Sequence, residues 1–257
     1  MDLHAVINKA MQSVVANMAI RRMMLRRINP DQFKLLIIQK ALIRSQLIRQ
    51  LTMALDIAEE QKLEPLTQSL RRNLCDETGF DAEGKMHPEN SHATWQSHFL
   101  NALDITPAVL KRARPLSSVI QYNKQMHYME LKGDLYEILG AILMTERIIP
   151  LEFRAIQLSR DFLFTSRFVI AKTDGREEIF QKRLACQYID HHILHDSNEH
   201  YPDFLNAINQ IYLTPPEEIR LIRGIHLIRD GRCDLYNDIY EQWELNNART
   251  YVESCMN

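Results

Sequence analysis

Glycine and proline are scarce in this chain, with seven and nine in 257 residues, while Leu, Ile, Met, Gln, Arg, Glu and Ala are abundant. That balance favours helix over sheet. No alternating strand pattern of useful length, no internal repeat and no low-complexity linker interrupts the sequence. The four cysteines, Cys75, Cys186, Cys233 and Cys255, form no CxxC pair. A zinc knuckle or a disulfide scaffold is therefore not indicated, and reduced thiols in a cytoplasmic setting are expected. Charge of one sign is also missing. A net charge of −2 argues against general nucleic-acid binding, and the basic cluster Arg21, Arg22, Arg26 and Arg27 lacks interleaved aromatics and reads as a solvated helix face. His4, Asn8 and Lys9 stand where a signal peptide would need an apolar core. The most apolar run, Leu35 to Ile43, is broken by Lys40 and is far too short to span a bilayer. A soluble protein with no membrane or nucleic-acid partner is expected.

What is present is helical periodicity. Asn29-Pro30 reads as a cap followed by proline at the first helical position, opening a long helix to about Glu60. An earlier helix is expected from Leu3 to Arg26. After Pro65, the residues Leu66, Leu70, Leu74 and Glu77 share one face of a third. Residues 78–90 read as a loop, and Ser91 as the cap of a helix anchored by Trp95, Phe99 and Leu100. Further helices are expected over 107–128, 131–149 and 151–166. Thr173-Asp174-Gly175 signals the opening of a long helix that Pro202 ends near His200. Helices over 203–213, 216–229 and 233–250 complete one all-α domain spanning residues 1–257.

The segment Tyr188-Ile-Asp-His-His-Ile-Leu-His-Asp-Ser-Asn-Glu-His200 carries the clearest chemistry. At four-residue steps it gives His192, Asp196 and His200, which on a helix drift only about 40° per step and share a face. Two imidazoles and a carboxylate there suit a divalent transition metal. Facing helices of a bundle supply further donors. Glu146 lies on the stripe of Leu135, Leu139, Ile142 and Ile149, whereas Glu137 falls on the opposite face. Glu77 ends the 66/70/74 stripe. An inward carboxylate is costly unless paired, by a metal or equally by an arginine. His92 opens the helix after Ser91 and becomes the sixth candidate. Three carboxylates and three imidazoles suit two iron ions, or iron and manganese, with positions open to dioxygen.

The ordered set Asp76-Glu77-Thr78-Gly79, His92-x-x-Trp95 with Phe99-Leu100, Glu146 before Pro150, and His192-x3-Asp196-x3-His200 resembles the haem-oxygenase-like diiron proteins. Within them it is similar to the CADD proteins and their cyanobacterial relatives. The resemblance covers roughly residues 30–230. It implies a seven-helix bundle related to haem oxygenase, TenA and PqqC, here with an extra N-terminal and an extra C-terminal helix, and usually a homodimer. It further implies oxygen activation at a non-haem dimetal centre held by Glu77, His92, Glu146, His192, Asp196 and His200. The substrate would be a small molecule such as an amino acid, an amine or a fatty acid.

Two departures stand out. The interval from Glu77 to His92 is longer than usual, as if Asp81 to Asn90 were inserted, so His87 or Glu89 competes with His92. The early-helix tyrosine that CADD proteins consume as substrate has no counterpart, since no tyrosine precedes Tyr122. Tyr188, one turn before His192, is the tyrosine expected to face the metals. His191 and His195 form a second four-spaced pair, read as ordinary solvated histidines or a surface zinc site. Two rival readings remain: a metal-free, TenA- or PqqC-like enzyme using acid–base groups, and a helical interaction module whose contact surface is the N-terminal stretch with Met11, Met18, Met23 and Met24.

Overall fold

A computed structural model describes residues 2–43, 46–80, 84–87, 91–164, 186–194 and 199–256. Among these residues there is no strand, and the β pairing is an isolated bridge between Phe80 and Met86. The helices are α1 (Leu3–Val15), α2 (Met18–Met24), α3 (Pro30–Ala41), α4 (Gln46–Glu60), α5 (Glu64–Thr78), α6 (His92–Ala102), α7 (Pro107–Arg112), α8 (Ser117–Lys132) and α9 (Leu135–Leu163). Then follow α10 (186–194), α11 (Tyr201–Asn209), α12 (Pro215–Glu244) and α13 (Asn247–Met256). The architecture of the described residues is all-helical, as expected.

Local chemistry sets most helix starts. Asn29 and Gln32 form a reciprocal capping box ahead of Pro30. Ser91 accepts the Thr94 amide at the start of α6, and Asp134 accepts the Glu137 amide at the start of α9. Gly79 and Gly133 close α5 and α8 in the left-handed conformation, at φ 77° and 62°.

The two longest helices, α9 and α12, pack against each other along the centre. Gly140 and Gly224 make this possible. A Cβ on Gly140 would stand 2.0 Å from the Leu221 carbonyl oxygen, and one on Gly224 would stand 2.0 Å from that of Glu137. Around this pair, α1 and α2 lie along α12 and α9, α4 bridges α5 and α9, and α13 closes over α3. One apolar cluster runs through the bundle from Leu3 to Cys255.

Several boundaries differ from the sequence reading. The helix expected over Leu3–Arg26 breaks at Asn17, which caps α2 through Ala19 N at 2.9 Å and also donates to Asn237. The helix expected from Pro30 to Glu60 stops at Ala41. Conversely, 131–149 and 151–166 fall in one helix, continuous through Pro150, and 216–229 joins 233–244 in α12, while 247–250 opens α13. Tertiary packing overrides a local stop signal in both cases, because each continuous helix buries an unbroken row of side chains on its partner. Pro202 does not end a helix but sits in the first turn of α11, where a missing amide costs nothing. The Thr173-Asp174-Gly175 turn lies outside the described residues.

Glu137 is also corrected. It is buried like Glu146, because the first half of α9 is enclosed on nearly all sides, and it is held by Lys132 at 2.6 Å and Arg223 at 3.7 Å. The Met-rich N-terminal stretch is mostly internal, with Met23 fully buried and Met11 and Met24 packed on the core, leaving Met18 exposed. No helix among the described residues is long and apolar enough to cross a membrane.

Candidate metal centre

Helices α5, α6, α9 and α10 bring the sequence candidates toward one region of the bundle. Glu77, in the last turn of α5, places Oε1 3.0 Å from His92 Nδ1 at the start of α6. The His92 ring lies 4.5 Å from the His192 ring of α10, centroid to centroid. Glu77, His92 and His192 all line a cavity of about 110 Å³. Glu146 of α9 stands 3.7 Å from His200 Nδ1 through Oε2, and its Oε1 accepts from Asn73 at 3.3 Å. His92, Glu146, His192 and His200 are all buried, Glu146 to 1% exposure. Asp196 lies outside the described residues. His87 offers its backbone amide to the Gly79 carbonyl at 2.7 Å, and it is His92 that meets Glu77 on the cavity wall. Glu89 is likewise outside.

The Glu77–His92 separation is that of an ion pair or hydrogen bond, and it leaves an imidazole and a carboxylate side by side on the cavity wall. Among the described residues, no three His, Cys, Asp or Glu side chains are already gathered as one metal group. The donors stand as pairs, Glu77 with His92 and Glu146 with His200. Neutral imidazole and carboxylate are the donor chemistry that iron takes.

The surroundings contain residues that the sequence did not single out. Asp76 Oδ2 lies 2.9 Å from His200 Nε2. A carboxylate there accepts the Nε2 proton and leaves Nδ1, the nitrogen on the Glu146 side, as the lone-pair donor. Burial would raise the Asp76 carboxyl, but the His200 hydrogen bond and the nearby His191 and His92 hold it below its usual value. His191 is not solvated as expected. It packs on the His92 ring at 4.8 Å and on Trp95 at 4.7 Å. His195 lies outside the described residues. Tyr188 does stand beside His192, with ring centroids 4.8 Å apart, and its hydroxyl accepts from Gln96 at 3.2 Å.

On another wall of the same cavity lie Lys40 of α3 and Arg232 of α12. Between them is Glu152 of α9, fully buried. Lys40 Nζ bonds Glu152 Oε2, and Arg232 Nε stays 3.8 Å from Glu152 Oε1. Burial lowers the Lys40 ammonium to about 8 against the opposing pull of Glu152. Burial would raise Glu152, but Arg232 and Lys40 hold it below its usual range.

The family described as iron-containing redox enzyme matches residues 47–228, and the chain belongs to that family. In structure it is similar to a CADD-like protein of unknown function from Nostoc punctiforme, with 14% identity, a TM-score of 0.56, and 92% of this chain and 97% of that one covered. It is also similar to a TenA homolog from Pseudomonas syringae pv. tomato, with 12% identity, a TM-score of 0.70, and coverage of 92% and 90%. At these identities the likeness is one of fold. No curated protein matches the sequence.

Proposed function

We propose that the protein is a non-haem dimetal oxidase or oxygenase acting on a small molecule. Glu77, His92, Glu146, His192, Asp196 and His200 would hold two iron ions, or iron and manganese. The observation that carries this reading is the Glu77–His92 contact at 3.0 Å on the wall of an internal cavity, together with membership of an iron-containing redox family. Ferrous iron bound there supplies the electrons and open coordination positions that dioxygen activation needs.

The chain's own residues do the rest. Asp76 fixes the His200 tautomer. Trp95 and Phe153 wall in His191 and His192 and keep bulk water from the donors. Gln96 orients the Tyr188 hydroxyl over the same cavity, which makes Tyr188 the residue placed to pass a proton or hydrogen atom to a bound molecule. Buried carboxylates are expensive without a cation, and a divalent ion would remove that cost.

The rival reading is a metal-free, TenA-like enzyme, which has the same fold as the TenA homolog and would use acid–base groups in place of a metal. Iron analysis and oxygen uptake separate the two. Protein purified without chelator should carry iron and consume dioxygen with a reductant, and His192→Ala should lose both. A protein free of iron in which His192→Ala leaves small-molecule binding intact would favour the rival.

A further inference from the structure

The donors of the candidate centre face two different spaces. Glu77, His92 and His192 line the inner cavity, whereas His200 lies on the wall of an outer cleft of about 350 Å³ between α5 and α11. Glu146 stands between the two, 3.7 Å from His200 and 3.3 Å from Asn73. Three carboxylates line the cleft: Asp76, Glu199 and Asp203. Among the described residues Arg72 is the one cation on its wall, and it is committed to Asp203, donating to both carboxylate oxygens at 3.0 Å. With three carboxylates against one guanidinium, the lining carries a formal charge of −2. The inner cavity differs. Its two cations, Lys40 and Arg232, are matched by Glu77 on the wall and by Glu152 behind it, which leaves that space near neutral.

Asn73 adds an independent observation. It is 3% exposed and lines the cleft, yet its Oδ1 has no hydrogen-bond partner. Nδ2 is turned to Glu146, so the amide oxygen is directed the other way, toward the cleft. A buried carbonyl oxygen without a donor is costly, and a cation relieves that cost. Amide and carboxylate oxygens suit a divalent cation that still carries water, while imidazole is a better ligand for iron. From exposed Glu199 and half-exposed Asp76 at the cleft to buried His200 and Glu146 inside, the donors change in that order.

We infer that the outer cleft is the port through which ferrous iron enters, drawn in by Glu199 and Asp76, met by the Asn73 oxygen and passed to His200 and Glu146. The inference rests on the reading of the protein as an iron enzyme, and it concerns how fast the metal arrives, not how tightly it is held. Glu199 acts by its charge at the mouth of the cleft. Arg72 opposes it, because its guanidinium weakens the field that attracts a cation. Attraction of this kind raises association rates by about 10–1,000-fold and falls with ionic strength. The near-neutral inner cavity offers a cation no such attraction.

The test is anaerobic stopped-flow mixing of the full-length, chelator-treated protein with ferrous iron alone, at low and at high salt. Trp95, whose ring lies 5.3 Å from that of His92, reports arrival through its fluorescence. Iron retained at equilibrium is read on the same samples. Wild type should load more slowly as salt is raised. Glu199→Lys should lower the bimolecular rate constant by about ten-fold at low salt and lose most of the salt dependence, whereas Arg72→Gln should raise it. Both should retain as much iron as wild type. Asp76 is kept intact, because it also positions His200. If Glu199→Lys fails to fold or retains less iron, the rise in Arg72→Gln and the salt dependence of wild type decide the matter. Rate changes of the same sign in the two variants overturn the inference, since a structural disturbance would slow both. Iron retained as before, with rates insensitive to salt and to both substitutions, overturns this inference alone. A wild-type protein that takes up no iron overturns the dimetal reading and this inference with it.

Discussion

Asp76 Oδ2 lies 2.9 Å from His200 Nε2, while the adjacent Glu77 reaches His92 at 3.0 Å. Two consecutive carboxylates at the end of α5 thus face two different imidazoles. Because Asp76 is half-exposed and Glu77 lines the cavity, their tasks differ. Asp76 positions a histidine and Glu77 offers its oxygens inward.

Asp76→Ala should therefore weaken ferrous iron binding by about 10–100-fold, the usual cost of losing an outer partner of a metal-bound histidine. Asp76→Asn, which keeps an acceptor, should recover part of it. Competition against a calibrated chelator measures both. An Asp76→Ala protein with wild-type iron affinity would remove the positioning role.

Gly224→Ala should destabilise the fold with no change in the donor residues themselves. Its methyl group would meet the Glu137 carbonyl oxygen at 2.0 Å, so α9 and α12 must move apart. Overpacking of this kind costs about 1–3 kcal/mol, read as a fall in thermal midpoint of several degrees. An unchanged midpoint would mean that the two helices tolerate separation.

Much of the fold was legible because its signals are local. The Asn29 cap ahead of Pro30, the Ser91 cap and the end of α5 near residue 78 all depend on residues within about one turn. Glu146 was legible as an inward carboxylate because it keeps the period of Leu135, Leu139 and Ile142. The fusion of helices across Pro150 and the break at Asn17 were not legible, since each is decided by what packs against the segment. Burial of Glu137 was missed for the same reason. Lys40 looked like a mere interruption of an apolar run, because its partner Glu152 is 112 residues away and no spacing rule connects them. His191 was set apart from His192 by its 100° rotation about the helix, yet Trp95 and His92 come round to meet it.

Lys40 should leave a pH signature. Its proton is held less tightly in the folded state, at about 8 against an ordinary 10.5. Between those values the unfolded chain binds more protons, so this residue's contribution to stability rises with pH. Below 8 it is protonated in both states and the burial cost is felt in full. Urea midpoints of wild type and Lys40→Met at pH 7.5 and 9.5 should diverge, with wild type gaining relative to the variant at the higher pH. Arg232 and Glu152, which face it, keep their charge across this window and cancel in the comparison. A constant difference would contradict the burial cost.

The most direct measurement is anaerobic ferrous titration of the chelator-treated protein, followed by desalting and elemental analysis. The account predicts two iron ions retained per chain by the wild type, and at most one by His92→Ala or Glu146→Ala with helicity unchanged by circular dichroism. A wild-type protein that retains no iron, or variants that retain as much as it does, would contradict the dimetal centre.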